Sequence, residues 1–304
     1  MPAAADRPPA LSVVIPTFNN EVVLRECLDG WQRFGGEDLE IIVVEDGCRD
    51  GTAAFLDTLA ATPWGTRHLR WIHQDDAHEL RCTNAGMSIA RGRLLLAWQD
   101  DMFLRSAWLV PELCATFAAY QELGLMSLSR GLNCIPIDEP IATWNDLVDW
   151  RRLQSTIGPG PGNWFRLQEV DVVIRPWVVR RDVVDRVGPL DEAFRPTEWD
   201  EADLAYRIRE AGWKVATCGY ERLGGYFHLG STTIGVPSQA YLDRVLKNGR
   251  LFHDRWDRTI AEQHPRPRRT WLRRATAAGW VATANAMTGA AVRAVAGRAP
   301  KAES

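Results

Sequence analysis

Leu11-Ser-Val-Val-Ile15, closed by Pro16, and Ile41-Ile-Val-Val44, running into Glu45-Asp46-Gly47, are the two segments that decide the fold. Both are short, nearly continuous apolar runs rich in β-branched residues. That is the pattern of strands buried on both faces. A helical stretch from Asn20 to about Trp31 separates them, and the alternation then repeats. Asp50 to Ala61 reads as a helix, His68 to Ile72 as a strand, Thr83 to Ala90 as a helix and Leu94 to Trp98 as a strand. Strands and helices in alternation predict an α/β fold, a mostly parallel, Rossmann-like central sheet flanked by helices. Such sheets bind ligands beyond the carboxyl ends of their strands. Asp46 lies just past the second strand, and Gln99-Asp100-Asp101 just past the fourth.

The second half changes character. Gly131 to Gln168 holds Pro136, Pro140 and Gly158-Pro-Gly-Pro-Gly162, interleaved with Trp144, Trp150 and Trp164. This predicts an irregular region over one rim of the sheet. Val170 to Ile174 reads as a strand, followed by a helical run to Val187; Asp200 to Ala211 is a helix stopped by Gly212. Lys214 to Cys218 reads as a strand and Ser238 to Trp256 as a helix. Three parts are expected: 11–130, 131–260 as the second half of the same domain, and a basic, Ala-rich helical tail over 261–304.

The 304 residues are 46% hydrophobic and 25% charged, which excludes a disordered chain and a small disulfide scaffold. A net charge of −3 argues against nucleic acid as the main partner. From Pro265 onward, however, eight basic residues face one acidic residue. Basic residues mixed with Trp271 and Trp280 on a helix suit peripheral contact with an anionic membrane surface, and a solvated or packed tail is the other reading. Six scattered cysteines suit buried thiols in a reducing compartment. Met1 to Ala10 has no apolar core of a signal peptide, and Ala275 to Val292 is too poor in Leu and Ile for a membrane span. A cytoplasmic protein is expected, at the inner face of the cytoplasmic membrane if the tail binds there.

Five segments in order carry a family likeness. They are Val13-Val-Ile-Pro-Thr-Phe-Asn19; Val43-Val-Glu-Asp-Gly-Cys-Arg-Asp-Gly-Thr52; Asn84-Ala-Gly86 with Ala90-Arg-Gly92; Gly188-Pro-Leu-Asp-Glu-Ala-Phe194; and Asp200-Glu-Ala-Asp-Leu-Ala-Tyr-Arg-Ile-Arg-Glu-Ala-Gly212. Together they resemble the family 2, inverting, nucleotide-sugar-dependent glycosyltransferases of GT-A fold, over about Leu11 to Ser231. The resemblance implies transfer of a sugar from a nucleoside diphosphate, UDP or dTDP type, to an acceptor hydroxyl. The acceptor would be a glycan or a lipid-linked molecule in cell-envelope or polysaccharide synthesis, and Mg2+ or Mn2+ the cofactor.

The resemblance also implies roles. Asp46 matches the acid that meets the nucleotide base; a carboxylate accepts the imide N–H of uracil or thymine. An Asx-type turn with Gly47 and Asp50 is the other reading. Pro16, Thr17 and Asn19 would line the same pocket, and Arg81 would contact base or phosphate, although Thr83 stands where the family has its usual Arg. Gln99-Asp100-Asp101 occupies the place of a D-x-D motif, with Gln99 for the first acid. Asp101 would bind the metal, Asp100 would assist on the nucleotide side, and His228 would be a further metal ligand or phosphate contact. A helix N-cap cluster is the alternative for these acids. Glu201 occupies the position of the catalytic base, with Asp200 beside it as the alternative; charge favourable to a helix start also explains both. A non-catalytic carbohydrate- or nucleotide-binding relative, or a scaffold, is the competing functional class. A nucleotidyltransferase lacks support, because no Gly-rich phosphate loop follows the first strand.

Overall fold

The computed structural model describes residues 7–134, 148–149, 156–159, 166–230 and 239–263. Its strands are β1 (Leu11–Thr17), β2 (Leu39–Asp46), β3 (Leu69–Gln74), β4 (Leu94–Ala97), β5 (Met102–Leu104), β6 (Leu123–Ser127), β7 (Gly131–Cys134), β8 (Val148–Asp149), β9 (Thr156–Pro159), β10 (Arg166–Glu169), β11 (Val172–Val173), β12 (Trp177–Arg180), β13 (Lys214–Thr217) and β14 (Tyr226–His228). The α-helices are α1 (Glu21–Phe34), α2 (Thr52–Ala60), α3 (Pro63–His68), α4 (His78–Ile89), α5 (Leu109–Ala119), α6 (Arg181–Val187), α7 (Asp200–Glu210) and α8 (Gln239–Gln263).

Nine strands form the central sheet in the order β3-β2-β1-β4-β12-β6-β13-β10-β9. The first four are parallel, as the alternation predicts. Their apolar runs are buried on both sides because the pleat sends neighbours to opposite faces. Val13, Ile15, Ile41 and Val43 meet Leu24, Leu28 and Trp31 of α1 in one core. Val14, Ile42 and Val44 meet Leu80 and Met87 of α4 in the other, which continues into α7 and α8. Gly86 lets α4 lie against β1, since a Cβ there would sit 2.4 Å from Val14 Cγ1.

Three departures from the sequence pattern have physical causes. The run up to Val187 is not all helix: Trp177–Arg180 is β12, antiparallel between β4 and β6. Four residues are too few for periodicity to separate strand from helix. Short strands also interrupt the irregular middle region. Helix α4 begins at His78 rather than near Thr83. Its start has no local side-chain cap; the Asp46 carboxylate accepts from Ala77 N at 2.6 Å and His78 N at 2.8 Å instead. The expected Ala-rich tail and Trp144, Trp150 and Trp164 lie outside the described residues.

Candidate active site

The carboxyl ends of β1, β2 and β4 open into a cleft of about 500 Å3. Of the residues singled out in the sequence, Pro16, Thr17, Asp46, Asp100, Asp101 and His228 line it. Thr17 ends β1, and its hydroxyl donates to Asp100 Oδ2 at 2.7 Å, which joins two strand ends. Burial raises the Asp100 carboxyl to about 6, against the hydrogen bonds from Thr17 and Asn20 that favour its ionised form. The turn behind it is fixed by the Trp98 indole, which donates to Met102 O at 2.8 Å and packs edge-on against Trp31 and Tyr226.

Asp101 and His228 meet through a separate two-stranded ribbon. Antiparallel pairing of β5 with β14 sets His228 opposite Met102, one residue beyond Asp101. The result is His228 Nε2 at 3.4 Å from Asp101 Oδ1. Asp46 is 6% exposed at the other side of the cleft. Backbone N–H groups hold both its oxygens, and the Cys82 thiol also lies against the carboxylate. The Asx-turn reading therefore gives way to a longer-range role, since Asp46 builds the 76–78 corner from across the sheet. Asp50, by contrast, does form the local turn, accepting from Thr52 N at 3.1 Å and Thr52 Oγ1 at 2.6 Å.

Asn19 and Arg81 are not among the cleft-lining residues. Asn19 is exposed and accepts from Arg49 N at 2.7 Å. Arg81 forms an ion pair with Glu192 at 2.9 Å. Both side chains are thereby engaged in holding loops.

Across the cleft, Pro196 and Thr197 belong to the loop that leads into α7. Glu198 and Trp199 take φ of 83° and 68°, in the left-handed region. Trp199 packs on Phe252 and His253 of α8, so among the described residues it serves packing. Asp200 is fully buried and paired with Arg175 at 3.2 Å. Glu201 is partly buried, and neither it nor Asp200 is among the residues lining the cleft. Burial, and then the adjoining Asp200, push the Glu201 carboxyl well above its usual range. The remaining motif residues are scaffolding. Asp203 accepts from Arg207, Arg255 and Trp256. Arg207 in turn donates to the carbonyls of Val187 and Pro189. Asn84 pairs with both backbone groups of Leu190.

Sequence reasoning missed Glu79, Arg175, Tyr241, Arg244 and Asn248. Glu79, Tyr241 and Arg244 line the cleft. The Tyr241 hydroxyl donates to Glu198 at 2.7 Å. Among the described residues Arg244 makes no ion pair, and its buried Nε has no hydrogen-bond partner. One signal was available: Asn248 lies on the apolar face of α8 shared by Val245, Phe252 and Trp256.

Residues 12–119 match the model of the family described as Glycosyl transferase family 2. The glycosyltransferase EpsJ of Bacillus subtilis (strain 168) is 30% identical over 99 residues, 33% of this chain and 28% of that protein. Among solved structures, the mannosyltransferase PcManGT from Pyrobaculum calidifontis, in complex with GDP-Man and Mn2+, has a TM-score of 0.50 at 16% identity, covering 93% of this chain and 81% of that one. GalNAc-T7 with UDP, GalNAc and Mn2+ has a TM-score of 0.60 at 12% identity, covering 84% and 50%. The chain spans between 28% and 49% of the length of the first curated relatives it matches. Residues 12–119 thus resemble glycosyltransferase family 2, and the chain has the GT-A fold.

Proposed function

We propose that the protein transfers a sugar from a uridine or thymidine diphosphate donor to an acceptor hydroxyl, with inversion at the anomeric carbon. The observation that carries this reading is the convergence of Asp46, Asp101 and His228 on one cleft whose opposite wall leads to Glu201. Asp46 would accept the imide N–H of the base, with Pro16 and Thr17 beside it.

The charge balance supports a bound Mg2+ or Mn2+. Asp46, Asp76, Glu79, Asp100 and Asp101 all line the cleft, and among the described residues Arg244 is its one arginine or lysine. A diphosphate entering such a site needs a further cation. Asp101 and His228 would hold it, with Asp100 adjoining. Among the described residues no group of three acidic, histidine or cysteine side chains forms a metal cage. Two protein ligands plus diphosphate oxygens is a common way for Mg2+ to be held. The ion would neutralise charge on the departing diphosphate. Glu201 would take the acceptor proton as the new bond forms.

The acceptor we infer is a glycan or lipid-linked molecule of envelope or polysaccharide synthesis, met at the cytoplasmic face of the membrane. Basic residues beyond Pro265 would favour an anionic surface at about 1 kcal/mol each. No described helix is long and apolar enough to cross a membrane. Unchanged sedimentation with anionic liposomes after deletion of 265–304 would remove the tail's role.

The deciding experiment is a thermal-shift screen of UDP-, dTDP- and GDP-sugars with Mn2+, Mg2+ or EDTA, followed by donor-hydrolysis and transfer assays. A donor at about 100 times its Kd adds about 2.7 kcal/mol of stability, which is several degrees in Tm. Binding without turnover would favour the non-catalytic relative, and binding in EDTA equal to that in Mn2+ would remove the metal.

A further inference from the structure

Gln99 occupies the place of an acid in the D-x-D-like segment, and its side chain is engaged away from that segment. Its Nε2 donates to Glu79 Oε1 at 3.1 Å. The other Glu79 oxygen accepts from Thr197 Oγ1 at 3.3 Å. Glu79 Oε1 also pairs with the Arg175 guanidinium, whose Nη2 reaches Asp200 Oδ2 at 3.2 Å. These side chains form a continuous polar line from the end of β4, through α4, to the first residues of α7. A Glu or Asp at position 99 would face Glu79 with a like charge; the amide instead supplies a donor.

Arg175 is placed to matter. Its side chain is 6% exposed, Asp200 is 0% exposed, and among the described residues Asp200 has no other ion pair. Asp200 and Glu201 lie within hydrogen-bonding reach of each other. Two carboxyls so close resist joint ionisation unless a cation adjoins them. The charged groups facing the pair are Arg175, Glu79 of α4 and Glu198 of the preceding loop, with Tyr241 of α8 behind Glu198.

We propose that Arg175 is a positioning residue. It holds Asp200 against the core, supplies the positive charge that lets Glu201 ionise beside it, and ties both through Glu79 and Gln99 to the donor side of the cleft. This rests on the glycosyltransferase reading above. Glu79 has the opposing electrostatic effect, because it shares the same cation.

The test is the pH profile of kcat for the full chain carrying Arg175→Lys or Glu79→Gln, with UDP binding in Mn2+ measured by calorimetry. Lys keeps a charge and loses the two-pronged contact. We expect Arg175→Lys to lower kcat at pH 7 at least 10-fold, leave UDP affinity within threefold, and move the acid limb to higher pH. Glu79→Gln should move that limb to lower pH, since Arg175 then serves the pair alone. If Arg175→Lys does not fold, the Glu79→Gln profile decides by itself. A packing role would lower kcat without moving the limb. An active wild type whose foldable variants keep its acid limb therefore overturns the proposal alone. A wild type that binds no nucleoside diphosphate overturns the glycosyltransferase reading, and the proposal with it.

Discussion

The side-chain amide of Asn248, buried in the middle of α8, donates to the Thr197 carbonyl at 2.9 Å. The same nitrogen lies 2.7 Å from Phe194 O and 3.2 Å from Glu198 O. It fastens the loop whose next two residues hold a left-handed backbone, a conformation costing about 1–3 kcal/mol per non-glycine residue. The loop is thus held from outside. Asn248→Ala should cost about 1–3 kcal/mol in urea denaturation, because buried carbonyls lose their donor. It should also lower kcat more than it weakens UDP binding. Unchanged stability would mean that α8 holds the loop by packing alone.

Asp101 and His228 are predicted to act together on the metal. Removing groups that merely orient metal ligands costs about 10–100-fold in affinity. Asp101→Ala or His228→Ala should therefore weaken Mn2+ binding at least that much, measured by titration in the presence of UDP. The far-UV spectrum should stay unchanged, since both lie on the rim. Full transfer in excess EDTA would exclude the role.

Glu201→Gln and Asp200→Asn should fail in different ways. The first should reduce kcat by about 10² to 10⁴ while UDP affinity and Tm survive. The second leaves the buried Arg175 short of an anion, and breaking such a pair costs about 3–5 kcal/mol. A Tm scan beside a turnover assay separates the two. Near-normal turnover in Glu201→Gln would send the search for the base elsewhere.

Acid stability should depend on Glu40. Burial opposes its ionisation, but hydrogen bonds from Ser12 and Arg91 and the charge of Arg70 hold its carboxyl below the usual range. The folded chain then binds fewer protons than the unfolded one. The contribution is complete above about pH 4.3 and is lost as pH falls through the folded value. Glu40→Gln should lower Tm at pH 7, and its gap to wild type should shrink as pH falls below about 4.

The legible parts of this molecule were those written locally. β1, β2 and β4 show themselves as apolar runs, the last two leading into acids, and α7 as a periodic stretch closed by Gly212, which has φ of 91°. The strand-end acids and His228 were readable from motif order. What stayed hidden depends on distant pairs. The start of α4 is fixed by Asp46, β12 shows too few residues for its period, and Arg175 gains meaning only from Glu79 and Asp200. Arg81 shows the converse: its motif-adjacent position suggested a ligand contact, yet Glu192, far along the chain, takes its guanidinium.

The β5–β14 ribbon has a consequence for the birth of the protein. Asp101 leaves the ribosome long before His228, and their side chains meet only when β14 pairs with β5. A nascent chain halted before Tyr226 would own every strand-end acid and still lack half of the pair proposed to hold the metal. The strand-end acids of β2 and β4 are made early in synthesis, whereas the proposed metal pair is completed late, once β14 has emerged and with α8 still to follow.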